Sequence, residues 1–433
     1  MPIVERRTNP ARQLVELARE ATVAVAASGD RTLYVNGHPD ASDRLDMATQ
    51  VMLAVVPLVA HPAPEDVLVI GFGSGVTGAV AARVDGVKRV EVVELERAVL
   101  AASPHFHHVN HAVENDPRVR LVHDDARSFL LAPPHRFDAI VSEPSNPWRA
   151  GVAALFTADY YRAARAALKP GGVFAQWVQL YGLSEGTLRM VLRTIAEAFP
   201  EQQVWWLDPG NLVVLASDAP LLLERARVEA IAGGALAKDL ERAAWLGAPG
   251  ELFGRFLLGT AEARAFVEEA ANAGEPVPAH TDDQPLLEYE APRGLFEGDG
   301  QNALRLLAVK LARGAIVPPL AGAPPDAGDV WTSIATMYRT SKRLPEARIA
   351  MDRALSTART PRHLAFAAEI AMEAGDLAAA VPLLVEARVL VKKVEPDFGY
   401  VVEMEALLAA HRRQLAQSVS LLDEAGGLDG RRG

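Results

Sequence analysis

Acid and amide side chains stand at the ends of four apolar runs, and each is of a type that can bind or deprotonate a polar ligand. Glu94 follows Arg89-Val-Glu-Val-Val93 and lies about 20 positions beyond a cluster of glycines, where a carboxylate accepts hydrogen bonds from ribose hydroxyls. Asp124 and Asp125 follow Val119–Val122. Asp125 is placed to accept from a purine amino group, with Ala126 donating its backbone N–H, although a helix N-cap calls for the same residue type. Glu143 and Asn146 follow Phe137–Val141 in the string Ser142-Glu-Pro-Ser-Asn-Pro-Trp148. A carboxylate there can take a proton from an attacking amine or hold a cationic one, and Trp148 can stack on a cationic or planar group. The structural alternative is a turn stiffened by two prolines, with its Trp in the core. Gln176, Gln179 and Tyr181 can line a substrate pocket or fill a buried edge strand.

These groups act together only if the strand ends converge on one crevice. The stretch Val67-Leu-Val-Ile-Gly-Phe-Gly-Ser-Gly-Val-Thr-Gly78 provides the convergence. Four apolar residues predict a buried strand, and Gly71, Gly73 and Gly75 turn it into a helix beginning near Val76. Glycines let backbone N–H groups approach a ligand, and a helix N-terminus favours polar or anionic groups. Strand candidates Val67–Ile70, Val90–Val93, Val119–Val122, Phe137–Val141, Gly172–Trp177 and Gln203–Leu207 alternate with helices, and Asn211–Ser217 is a further strand. That is the pattern of a doubly wound α/β sheet. Asp208-Pro-Gly210 then predicts an antiparallel hairpin at one edge.

Composition narrows the classes. A net charge of -11 over 433 residues argues against a nucleic-acid footprint, and the absence of cysteine excludes disulfides, thiolate metal sites and Cys nucleophiles. Met1–Pro10 is polar with no apolar h-region after it, and no apolar run reaches 18 residues, so neither a leader nor a membrane span is expected and the cytoplasm is the expected compartment. His105, His107, His108 and His111 invite a metal reading, with His107 and His111 four apart on an expected helix. No carboxylate joins them at ligand spacing before Glu114 and Asp116, so a solvated helix end is expected and no metal.

The remaining segments frame this centre. Residues 1–62 form an entry module: a helix over Pro10–Glu20, strands Ala21–Ala26 and Arg31–Val35, a turn Asn36–Asp40, and a helix capped by Asp43 or Asp46 and running to about Ala60. Residues 63–217 form the nucleoside-binding domain. Residues 218–293 are expected to be helical, ending in a short strand within His280–Tyr289. Residues 294–328 are a linker around an amphipathic helix, Ala303–Arg313. Residues 329–420 form a helical tail, and Gly426–Gly433 is expected to be disordered. In the tail Ala335, Arg343-Leu344, Ala347 and Ala354 recur 33 positions later as Ala368, Asp376-Leu377, Ala380 and Ala387, which resembles tetratricopeptide helix pairs.

Residues from about 30 to 293 resemble the spermidine synthase-like (polyamine aminopropyltransferase) family, in particular a branch often fused to membrane regions. The strings that carry the resemblance are Val35-Asn-Gly37, Asp46-Met-Ala-Thr-Gln50, Gly71-Phe-Gly-Ser-Gly75, Val93-Glu-Leu-Glu96, Asp125-Ala-Arg127, Glu143-Pro-Ser-Asn-Pro-Trp148 and Thr281-Asp-Asp283. The resemblance implies a small N-terminal β module on a class I methyltransferase-like (Rossmann-like) fold. It implies decarboxylated S-adenosylmethionine as aminopropyl donor and a polyamine such as putrescine as acceptor. It also implies that Glu94 holds the ribose, Asp125 the adenine and Gln50 the region between donor and acceptor. Members of the family commonly dimerise, and no residue here decides that question; a protein partner at the helical tail is equally open.

The sequence departs from the family pattern at three places. The glycine loop has Ser74 where the family has an Asp that holds the donor's amino group. The loop after the fourth strand has Glu143-Pro-Ser-Asn146 where the family has Asp-Ser-Ser-Asp, and Glu143 is the candidate base. The acceptor-side Tyr has no match near Trp205–Gly210. Two further readings follow. Ser74 removes a negative charge that would oppose a methionine carboxylate, which suits intact S-adenosylmethionine and methyl transfer to an amine or other small molecule; Asn146-Pro147-Trp148 echoes the loop of amine N-methyltransferases. The third reading is a catalytically degenerate nucleoside-binding module with an interaction tail.

Overall fold

Strand β5 (Asp66–Ile70) is buried at all five residues and sits inside an eight-stranded sheet, as a run of apolar residues without alternation requires. The computed structural model describes residues 12–17, 22–147, 149, 151–290, 301–314, 316–412, 417–418 and 420–422. These form two compact units, residues 1–306 with 316–324 and residues 307–315 with 325–433.

The first unit begins with a four-stranded antiparallel sheet, β1 (Arg12–Leu17), β2 (Thr22–Ser28), β3 (Asp30–Val35) and β4 (His38–Ser42), in that order. Two expectations fail here. Within the expected helix Pro10–Glu20, the described residues Arg12–Leu17 are a strand, because pairing with β2 from Arg12↔Ala26 to Leu17↔Thr22 overrides local helix preference. The expected five-residue turn Asn36–Asp40 is only two residues long. Asn36 and Gly37 both take positive φ (54° and 81°), as a tight Asn-Gly hairpin needs, so the chain re-enters the sheet at once with Val35 opposite His38. Pro39 is tolerated because β4 is an edge strand.

Helix α1 (Met47–Ala60) has 13 of its 14 residues buried, so it is an internal helix rather than an amphipathic surface one. Asp46 occupies its N-cap position without capping it; the side chain accepts from the Ser42 backbone N–H at 3.0 Å and from the Ser42 hydroxyl. The sheet follows through β5, α2 (Val76–Arg83), β6 (Arg89–Glu94), α3 (Arg97–Ala101), α4 (His107–Asn110), β7 (Val119–His123), α5 (Ala126–Leu131), β8 (Phe137–Ser142), α6 (Ala158–Ala167), β9 (Leu168–Gln179), α7 (Glu185–Ala198), β10 (Glu201–Asp208) and β11 (Asn211–Ser217). With β13 (Phe256–Leu258) at one end, its spatial order is β13-β10-β11-β9-β8-β5-β6-β7. Strands β5 to β9 are mutually parallel, and the chain leaves β5 toward β6 and returns to β8 on the other side. The crevice at that switch point lies beyond the C-termini of β5 and β8.

The extension continues with β12 (Leu223–Glu224), α8 (Arg225–Gly233), α9 (Ala237–Ala244), β13 (Phe256–Leu258) and α10 (Thr260–Asn272). It is less helical than expected. β13 pairs antiparallel with β10, so the β10–β11 hairpin is not the edge of the sheet, and β9 is internal too. A three-residue strand inside an Ala/Leu-rich stretch has too little alternation to be read from sequence. The expected strand near Tyr289 is also absent: residues 286–290 are helical, starting directly after Pro285, which favours a first helical turn. In the expected linker, Leu320–Ala321 pairs parallel with β12.

The second unit contains antiparallel-connected helix pairs Ala327–Thr340 with Leu344–Thr357 and Pro361–Glu373 with Leu377–Leu390, followed by Phe398–His411. The repeated alanines, Ala335, Ala347 and Ala354 with Ala368, Ala380 and Ala387, are all fully buried. The 33-residue period therefore marks where helices pack closely enough to admit only a methyl group. No helix among the described residues is long and apolar enough to cross a membrane. Gly426–Gly433 and most of Gly294–Asn302 lie outside the described residues.

Candidate functional site

The glycine loop and the loop after β8 touch at the backbone. Gly71 has φ of +94° and donates its N–H to Val93 O at 2.9 Å; Glu143 donates its N–H to Ile70 O at 2.9 Å. A Cβ on Gly71 would fall 2.5 Å from Glu143 O, and one on Gly75, at φ +84°, would fall 2.7 Å from the Phe72 ring. Gly73 (φ +54°) is roomier, with Ala41 Cβ 3.3 Å from the corresponding point. Gly75 is the residue from which α2 starts.

Each candidate residue can now be located. The Glu94 carboxylate ends β6 and accepts from Phe72 N–H at 2.9 Å and Glu96 N–H at 2.8 Å, so it braces the glycine loop. Ser74 is fully buried and donates to Gln50 Oε1; the Gln50 amide donates to Ser42 O at 3.0 Å. Gln50 thus joins α1, the N-terminal sheet and the glycine loop. Asp125 accepts from Ser128 N–H at 2.8 Å, which realises the N-cap alternative with one carboxylate oxygen and leaves the other clear of that bond; Ala126 is the first residue of α5. Glu143 accepts from Thr77 Oγ1 at 2.7 Å. Asn146 Oδ1 accepts from the Tyr181 hydroxyl at 3.1 Å, which brings two of the expected substrate-side groups together. Gln176 is buried, with its amide donating to Trp177 O at 3.1 Å and its Oε1 without a partner among the described residues; neither amide atom of the buried Gln179 has one among them. Trp148 lies outside the described residues.

Three residues with a part in this site carried no functional signal in the sequence. Asp40, read as part of a turn, accepts from Ser145 Oγ at 2.6 Å and Arg149 Nη1 at 2.8 Å, and Arg149 Nη2 donates to Val35 O at 3.0 Å. The N-terminal sheet therefore fastens the loop that carries Glu143 and Asn146. Thr77, in the first turn of α2, is the hydrogen-bond donor to Glu143. The histidines do not gather: α4 stops at Asn110, His111 takes φ of +54°, and the expected shared helix face for His107 and His111 does not form. His107 contacts Glu114, whereas His108 faces Asp43 at 2.8 Å.

Burial dominates the electrostatics. It pushes the Glu143 carboxyl up to about 8, Glu94 to about 7 and Asp46 to about 6, with the charges of Asp40 and Asp46 adding to the rise at Glu143. Burial likewise moves the Tyr181 phenol to about 12. The folded chain thus holds protons that the unfolded chain releases above about pH 4.5. Stability that these groups retain in acid is lost as pH rises through the folded values. Buried His61 and His280 and partly buried His105 are shifted down, so they cost stability as pH drops below about 6.5, where the unfolded imidazoles take protons. Between about pH 7 and 8.5 the melting temperature of the ligand-free protein is expected to fall, and calorimetry across that window checks it.

Fold and crevice define a Rossmann-like α/β domain with a glycine loop and acidic side chains at the ends of its central strands. Residues 46–207 match the family model described as the spermine/spermidine synthase domain. Over that segment the chain is similar to the spermidine synthase-like family. It is 31% identical over 149 residues to the polyamine aminopropyltransferase of Escherichia fergusonii, covering 34% of this chain and 51% of that protein. It is 30% identical over 169 residues to the spermidine synthase of Dictyostelium discoideum, covering 39% and 59%. The chain spans about half the length of the curated relatives it matches. The crystal structure of the spermidine synthase from Thermotoga maritima aligns with a TM-score of 0.43 at 22% identity, covering 48% of this chain and 73% of that one; a likeness of that degree says nothing about the site.

Proposed function

We propose that this protein transfers an aminopropyl group from decarboxylated S-adenosylmethionine to a polyamine such as putrescine. The observation that supports this most is the set of carboxyl groups around the glycine loop. Glu143, Glu94 and Asp46 all bind protons more tightly than exposed carboxyls do, and Asp40 adds negative charge beside them. Such a site gains most from a ligand that brings positive charge into it, as a sulfonium and an ammonium do.

In this reading Glu94 holds the ribose, Asp125 and Ala126 the adenine, and the backbone at Gly71, Gly73 and Gly75 lies against the nucleoside. Gln50 and Ser74 border the donor's three-carbon arm. Asn146, Gln176 and Tyr181 face the acceptor, and Trp148 is assigned to it from its place in the sequence string alone. The acceptor nitrogen attacks the carbon next to sulfur with its lone pair. The carbon–sulfur bond breaks, its electron pair stays on sulfur, and methylthioadenosine leaves uncharged. The new ammonium gives its proton to Glu143, whose proton affinity lies near the operating pH, as a general base requires. The leaving group is already good, so alignment of the amine supplies most of the remaining acceleration.

Ser74 favours a second reading. Its hydroxyl is committed to Gln50 and brings no charge to oppose a methionine carboxylate, so intact S-adenosylmethionine could serve as methyl donor. A mass-resolved assay with putrescine or spermidine and either donor separates the two. A product heavier by one aminopropyl unit, formed only with the decarboxylated donor, is the expected result. A methylated product would replace the first reading with the second. Methylthioadenosine binding without product from either donor would leave a nucleoside-binding module, with homodimerisation or a partner at the helical tail as the next question.

A further inference from the structure

We propose that Asp282, in the turn Thr281-Asp-Asp283 of the extension, is a positioning residue for the nucleobase: it fixes Arg127 and, through it, the start of α5 that presents Asp125 and Ala126. This rests on the nucleoside reading of the crevice.

Arg127 follows Ala126 in the first turn of α5. Its guanidinium makes a two-pronged contact with Asp282, Nη1 to Oδ1 at 2.9 Å and Nη2 to Oδ2, and Nη1 also donates to Ala154 O at 3.1 Å. A planar fork on a carboxylate restricts orientation as well as distance. The turn that supplies Asp282 is held independently of α5. His280 is 1% exposed; its ring contacts Ala153 O at 2.8 Å through Nε2 and accepts from Leu287 N–H at 3.3 Å through Nδ1. The His280 N–H donates to Thr194 Oγ1 at 2.9 Å, and its carbonyl accepts from Ala158 N–H at 2.9 Å. The Asp282 N–H donates to Asp159 Oδ2 at 3.2 Å. The turn is therefore fixed by α6 and α7, and Arg127 is the strut from that fixed point to α5.

The strut matters because of what α5 begins with. One oxygen of Asp125 is used in capping Ser128, so its other oxygen can reach a purine amino group only if the first turn stays where it is. Ala126 N–H belongs to the same turn. Half-exposed ion pairs add little to stability, and Arg127 and Asp282 are 32% and 41% exposed at the side chain, so the consequence of the pair is placement rather than stability. The sequence string around Asp282 lies outside the matched family segment of residues 46–207.

The test compares methylthioadenosine with methylthioinosine, which carries an oxygen in place of the purine amino group. Titrations are made on the full chain for wild type, Asp282→Asn, Arg127→Lys and a control, Lys88→Ala, which removes an exposed pair with Glu65. Wild type and K88A should prefer the amino base. D282N and R127K should each lose roughly tenfold of that preference, the scale of one hydrogen bond, while melting within a few degrees of wild type. Amide exchange of the first turn of α5 should quicken in both. An unchanged preference in a folded D282N or R127K overturns the positioning role while the nucleoside reading stands. A wild type that binds neither compound overturns the nucleoside reading and this role with it, and one that binds both equally overturns this role while nucleoside binding stands. The milder R127K keeps the test decisive if D282N fails to fold.

Discussion

Glu143→Gln should bind methylthioadenosine about as wild type does and turn over about 10²- to 10⁴-fold more slowly, the range for removing a general base. The substitution is close to isosteric. Its amide oxygen can still accept from Thr77 Oγ1, and the backbone bond from Glu143 N–H to Ile70 O is untouched. What is lost is the ability to take a proton. Because the wild-type carboxyl titrates near 8, kcat/KM of the wild type should climb through that region, and E143Q should lose this limb of the profile. Stability should move the other way. The wild type loses stability as pH rises from about 4.5, where the unfolded carboxyl ionises, to about 8, where the folded one does, so E143Q should melt about equally with wild type near pH 4 and increasingly higher up to pH 8. Steady-state kinetics, titration calorimetry and melting curves on one preparation read all three effects. Normal turnover in E143Q would remove Glu143 from the chemistry.

Gly71→Ala should be the most damaging single-methyl change in the crevice. Two penalties coincide. A residue with a side chain is strained at φ of +94°, by about 1 to 2 kcal/mol, and the new methyl would sit 2.5 Å from a backbone oxygen that cannot rotate away. To relieve the contact, β5 and β8 must separate at their C-terminal ends, which moves Glu143 itself. A total near 3 kcal/mol is expected, lowering the melting temperature of the first unit by roughly 10 °C. Gly73→Ala is the useful comparison, because its methyl meets only a side-chain methyl at 3.3 Å. If the two variants melt alike, backbone strain is the whole effect. If only G71A loses nucleoside affinity, the contact with the Glu143 loop is what shapes the site.

The parts legible in the sequence are those that follow from local pattern. Seven strand candidates stand within a few residues of their observed bounds, because strands inside a sheet covered on both faces, the five parallel ones and the β10–β11 hairpin alike, are rich in continuous apolar runs. The ends of those runs gave Glu94, Asp125 and Glu143, since strand C-termini must converge at the switch point. The illegible parts depend on partners remote in sequence. Arg12–Leu17 is a strand only because β2 lies alongside it. Asp40 enters the site only because the N-terminal sheet lies over the loop after β8, 105 positions from Ser145. The bond between Ser74 and Gln50, and with it the neutral character of that corner, spans 24 positions. Residue types alone gave no reason to connect them.

The short strand β13 has a consequence for how the protein can be divided. Its three residues cover the outer side of β10, which carries Trp205 and Trp206, both fully buried. A fragment ending after Ser217 would keep every group assigned to the nucleoside yet leave that side bare. A flat row of unpaired N–H and C=O groups beside large aromatics is a template for intermolecular strand addition. The extension is therefore an edge guard, and a fragment ending after Ser217 would aggregate through β-pairing even though it kept the residues proposed to bind the nucleoside.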